Sequence, residues 1–175
     1  MNATTVNLYS LQYRESRTYI FAALFIIGNI ALPQLCHLVP QGGLTLLPIY
    51  FFTLIGAYKY GLQVGLLTAV LSPLVNSALF GMPAAAVLPG ILVKSVLLAV
   101  SAAYIARRFH SVSIPLLLAV VLMYQVMGSL IESLMLGSLA LGFQDFRIGI
   151  PGMLLQVIGG YLVIKYCLKE GLSAA

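Results

Sequence analysis

Residues 47–94 read LPIYFFTLIGAYKYGLQVGLLTAVLSPLVNSALFGMPAAAVLPGILVK, and this stretch decides the fold. Its only charged residues are Lys59 and Lys94. Lys59 falls in a break, Tyr58-Lys59-Tyr60-Gly61, between two apolar runs; the following break, Phe80-Gly81-Met82-Pro83, carries no charge. An apolar run with a basic break at one end and a neutral break at the other is the mark of a membrane span, because Lys and Arg stay on the cytoplasmic side. The alternation holds outward in both directions. Arg14, Arg17, Lys59, Arg107, Arg108, Lys165 and Lys169 occupy every second break, the intervening breaks hold only Arg147, and Lys94 lies inside a run.

These breaks predict an all-α integral membrane protein, six transmembrane helices in one bundle with both termini cytoplasmic. Spans are expected over about 18–38, 44–58, 61–79, 84–106, 114–137 and 149–167, between a polar N-terminal arm at 1–17 and a tail at 168–175. The span at 44–58 is short, and that at 84–106 is interrupted by Pro89-Gly90. Helices are the expected form, because backbone groups in lipid must be satisfied within their own segment. The strand-like alternation of a membrane barrel is absent. Pro33, Pro40, Pro73, Pro83, Pro89 and Pro151 all fall in the outer halves. Pro83 and Pro151 read as span ends, whereas Pro73 and Pro89 suggest bent helices lining a cavity.

Composition supports this reading and excludes others. The chain is 61% hydrophobic and 7% charged, with a mean hydropathy of +1.05; a water-facing domain needs roughly 25% charged residues. Six spans of about 20 residues consume most of 175 residues, which leaves no room for a soluble catalytic or nucleotide-binding domain. Work that needs ATP therefore requires a partner. The net charge of +5 is scattered over span ends, without the patch that nucleic acid demands. The first apolar stretch is long enough to remain as a span, so no cleaved leader is expected. Cys36 and Cys167 fall on opposite sides, which disfavours a disulfide. His37 and His110 also lie in loops on opposite faces, so neither a metal pair nor a Ser-His dyad forms between them. Zincin and phosphate-loop motifs are missing. No enzymatic activity, metal or cofactor is expected.

Polar residues inside spans are costly and face a bundle interior or a water-filled cavity. Here they are Asn76, Lys94, Gln125, Ser129, Glu132, Ser133 and Gln156. Gln125, Ser129, Glu132 and Ser133 follow at i, i+4, i+7 and i+8 and share one helical face. Their convergence with Asn76, Lys94 and Gln156 points to a polar pocket opening outward. Lys94 and Glu132 are the only charges deep in the spans. They serve either as a mutual ion pair that fixes helix packing, as contacts to the polar ends of a small ligand with Lys94 matching a carboxylate or phosphate, or as a proton-coupling pair through Glu132. Asn76 and Gln156 suit interhelical hydrogen bonding as well as ligand contact.

Leu47-Pro48-Ile49, the spaced Gly56, Gly61 and Gly65, Leu71-Ser72-Pro73-Leu74 and Gly81-Met82-Pro83 together resemble the substrate-binding S components of energy-coupling factor (ECF) vitamin transporters, in the broad family with folate-, pantothenate- and cobalamin-type members. The resemblance implies a binder of a vitamin-like micronutrient in a bacterial or archaeal cytoplasmic membrane. It implies gating by outside loops at Gln41, Gly42, Gly81, Met82 and Pro83. It also implies docking on a transmembrane coupling subunit that carries two ATPases. Docking in that family uses small residues of the first span, often as Ala-x-x-x-Ala. This chain departs from that spacing and offers Ala22, Ala23, Gly28 and Ala31. Biotin- and thiamine-type signatures are absent. Two other classes stay open: a non-catalytic membrane scaffold, and a self-sufficient small-molecule carrier, which the lack of an internal repeat disfavours.

Overall fold

The computed structural model describes residues 8–167; residues 1–7 and the expected tail 168–175, with Lys169, lie outside the described residues. Its elements are α1 (Ser16–Cys36), α2 (Gly42–Leu46), a 3₁₀ turn (Pro48–Tyr50), α3 (Phe51–Tyr60), α4 (Leu62–Phe80), α5 (Leu88–Phe109), α6 (Ile114–Leu136), α7 (Leu139–Gly142), α8 (Gln144–Ile148) and α9 (Ile150–Leu162), which widens into a π turn over Val163–Cys167. No β-strand occurs among the described residues. Four helices, α1, α4, α5 and α6, are long and apolar enough to cross a membrane, and Ile150–Tyr166 is a shorter apolar stretch.

The outside of the bundle is largely apolar, and its interior holds polar groups among the apolar ones. On α6, Leu122, Val126, Leu130 and Leu134 are exposed while Gln125, Ser129 and Ser133 are buried. The polar stripe expected from the i, i+4 spacing therefore faces inward. Lipid offers helices no hydrophobic drive to associate, so small residues and internal hydrogen bonds must hold such a bundle. This is a helical protein built for a membrane.

Helix ends follow local rules. Ser113 accepts a hydrogen bond from the Leu116 N–H at the start of α6, with Pro115 in the first turn. Gly81 (φ 65°) closes α4 in the left-handed region that a side chain resists. Pro89 opens α5 instead of interrupting it, which corrects the expectation of a broken span there. Pro73 does lie inside α4, buried against the bundle.

The largest departure concerns residues 44–58, expected as one short span. The chain instead makes α2, turns through Leu47 in the left-handed region (φ 46°), and begins α3 only at Phe51. At 10 residues α3 is far shorter than a bilayer, and its Thr53–Tyr60 stretch is wholly buried among α1, α4, α5 and α9. Irregular backbone at this depth is tolerated because protein surrounds it. A Cβ on Gly65 of α4 would collide with Ala57, so glycine there lets the two helices touch.

Asn29 of α1 pins the start of α3. Its amide donates to Thr53 Oγ1 (3.0 Å) and Ser72 Oγ (3.1 Å), and its carbonyl accepts from the Phe52 N–H (3.1 Å). The Phe52 N–H is one of the donors a helix N-terminus leaves unpaired, so a buried side chain from another helix completes the cap. At the opposite end of α3, the arm packs back on the bundle. Tyr9 and Leu11 N–H groups bond to the Lys59 and Tyr60 carbonyls (2.8 and 3.1 Å), and Arg107 donates to Ser10 Oγ (2.9 Å).

Asn29→Leu is expected to lower stability by about 2 kcal/mol, the scale of a buried donor left unpaired. The thermal midpoint of the purified protein in detergent reads this directly; an unchanged midpoint would mean that the knot contributes nothing.

Candidate substrate-binding site

Gly90 and Lys94 lie one turn apart on α5, as do Gly128 and Glu132 on α6. The two helices run antiparallel, so each glycine faces the charged residue of the other. A Cβ on Gly128 would lie 2.5 Å from Lys94 Cγ, and one on Gly90 would lie 2.8 Å from Glu132 Oε1. The glycines clear a path along which the Lys94 side chain reaches Glu132 Oε2 at 2.5 Å. Its Nζ also donates to Asp145 Oδ2 of α8 at 2.8 Å.

Lys94 is fully buried, while the side chains of Glu132 and Asp145 are 17% and 20% exposed. Burial of an unpaired ammonium costs several kcal/mol, and partners with good geometry offset it. The mutual pairing considered for Lys94 and Glu132 is therefore present, with Asp145 of α8 as a third member. No helical spacing links residues 51 positions apart. The available signal was chemical: a lone span cation and an acid in an outer loop.

Two adjoining hollows open at the end of the bundle where α2, α7 and α8 lie. The larger, about 400 Å³, is walled by Glu132, Asp145, Tyr50, Gln144 and apolar side chains. The smaller, about 270 Å³, includes Asn76, His37, Met82 and Pro83. Gly43, Leu44, Ile49, Val87 and Ile91 border both. These volumes suit a small-molecule ligand.

The expected site residues thus divide. Glu132 and Asn76 reach the hollows, and Asn76 Oδ1 also accepts from Gln34 Nε2 (3.2 Å). Lys94, Gln125, Ser129 and Gln156 lie behind the walls, all fully buried. Tyr124 donates to Gln156 Oε1 at 2.9 Å, and its ring lies 5.4 Å from that of Tyr50. Both amide atoms of Gln125, the Ser129 hydroxyl, Gln156 Nε2 and the Tyr50 hydroxyl are buried without a partner among the described residues. Buried polar groups are nearly always bonded, so this layer has spare capacity beside the hollows. Tyr50 was missed in the sequence because an aromatic at a helix entry reads as core.

Of the expected gating residues, Met82 and Pro83 border the smaller hollow and Gly81 is exposed at the turn. Gln41 is exposed (φ 57°), and Gly42 packs against the Cys36 carbonyl with no room for a side chain. The four residues expected to dock a partner do not form one open face. Ala22 is buried and Gly28 is covered by the Phe52 ring, while Ala23 and Ala31 are exposed. Cys36 is buried and free. Among the described residues, no three His, Cys, Asp or Glu side chains gather to hold a metal ion.

Comparison with known protein families, curated proteins and solved structures returned no match.

Gly128→Ala is expected to cost about 1–3 kcal/mol by overpacking against Lys94. Ala23→Leu, on the exposed flank of α1, should leave the protein within about 0.5 kcal/mol of wild type. Thermal denaturation of the two variants side by side checks this; equal midpoints would contradict the tight crossing of α5 and α6.

Proposed function

We propose that this protein is the substrate-binding subunit of an ECF-type importer, which captures a vitamin-like micronutrient from outside and delivers it inward with an ATPase-driven coupling module. The observation that carries the reading is the pair of hollows beneath α2, bounded by the Gly81-Met82-Pro83 turn and by two acids held on a buried lysine. A packing device alone has no use for an open chamber at one end of the bundle.

In this reading the chain spans a bacterial or archaeal cytoplasmic membrane six times, with both termini inside. The crossings are α1, the α2–α3 segment, α4, α5, α6 and α9 with its π turn. The basic residues Arg14, Arg17, Lys59, Arg107, Arg108 and Lys165 mark the inner end and the hollows mark the outer. Ala23 and Ala31 on the exposed face of α1 are the residues left to admit a close approach by the coupling subunit. The protein does no chemistry of its own in this account. The full pairing of Lys94 inside the bundle favours a second reading, a membrane scaffold in which the triad serves packing alone.

Ile91 borders both hollows, so Ile91→Trp fills them while leaving all three members of the triad in place. Native mass spectrometry of gently purified protein should show a vitamin-sized molecule on the wild type and none on the variant, at an unchanged thermal midpoint. An empty wild type that also ignores a panel of vitamins in thermal-shift assays would establish the scaffold instead.

A further inference from the structure

The charge of the chamber wall bears on the ligand. One ammonium meets two carboxylates at the triad, and the ammonium is the member turned away. Lys94 has no exposed surface, whereas Glu132 and Asp145 both line the larger hollow. Arg147 is exposed and borders a separate depression with Gln144 and Ile148, and His37 borders only the smaller hollow. Among the described residues, no lysine or arginine lines either hollow beneath α2. A ligand in the larger hollow therefore meets a net negative wall.

From this geometry we infer that the ligand is a small amphiphilic cation, an apolar or aromatic body ending in a protonated amine or comparable cationic head. This rests on the binding-subunit reading above, and it reverses the expectation that Lys94 selects a carboxylate. An anionic head would meet two carboxylates at short range in a low-dielectric pocket, with the lysine already engaged. A neutral head leaves the excess charge uncompensated as the ligand excludes water. A cation balances it. Tyr50 supplies an independent indication: it is 1% exposed, it lines the same hollow, and its hydroxyl has no partner among the described residues. That oxygen accepts a hydrogen bond from an ammonium, and a tyrosine ring face attracts a cation. The remaining wall, with Leu47, Ile49, Val87 and Ile91, suits an apolar body.

The test uses the full chain in lipid nanodiscs and three probes that share one indole body: tryptamine, tryptophol and indolepropionate. Tryptamine is expected to bind most tightly and indolepropionate least. Asp145→Asn and Glu132→Gln each leave Lys94 one acid partner, so at least one should fold, and each should weaken tryptamine by about tenfold, the scale of one charge-assisted hydrogen bond. Binding of indolepropionate as tight as that of tryptamine, or tryptamine binding indifferent to both variants, overturns the assignment and leaves the binding-subunit reading intact. If none of the three binds, the molecule extracted from gently purified protein decides: a cation supports the inference, and a neutral or anionic molecule overturns it. Protein that binds no probe and carries no molecule overturns the binding-subunit reading and this inference with it.

Discussion

A fully buried ammonium is the constraint around which the end of the bundle that carries α2, α7 and α8 is arranged. Lys94 has no route to water, so carboxylates must come to it. Glu132 reaches it from α6 and Asp145 from α8, which ties the segment between α6 and α9 to the helix core. The pairing also dictates the backbone. Gly90 and Gly128 are bare because each faces the charged side chain one turn along the opposite helix. Removal of either glycine, the lysine or an acid disturbs the same crossing. The chamber wall inherits its charge from this arrangement, since Glu132 and Asp145 line the hollow and Lys94 has no exposed surface.

The same economy governs the centre. With an apolar exterior, a buried polar group can find protein partners only within the bundle, and Asn29 shows how the helices supply them. One amide bonds to α3 twice and to α4 once, at the point where α3 has an unpaired N–H to offer. This is why a helix of 10 residues, too short to cross a bilayer alone, is stable at the heart of the bundle. The break before it frees α2 to border the chamber.

The long helices were legible in the sequence, because an apolar run between breaks needs no knowledge of its neighbours. The inward stripe of α6 was equally legible, since helical period alone puts Gln125, Ser129 and Ser133 on one face. What escaped was set by contacts between distant segments. Residues 44–58 have the hydropathy of a span, and only the burial of Tyr50 and Leu54 distinguishes a broken, protein-enclosed segment from one that faces lipid. Pro89 carries no sign of whether it opens a helix or bends one. Asp145 and Asn29 act through partners 51 and 24 residues away, beyond any periodic pattern. The pairing of Lys94 with Glu132 was one alternative the sequence offered, whereas its second partner, Asp145, could be found only in space.

In the proposed function the chamber beneath α2 receives a small molecule against Glu132 and Asp145. The most direct measurement is an experimental density map of the protein purified gently into lipid nanodiscs. The account predicts a compact, non-protein density of small-molecule size between Ile91 and Tyr50, with one end at the two carboxylates. A map in which α2 and α8 collapse onto Val87 and Ile91, with both acids closed on Lys94 and no chamber between them, would contradict it.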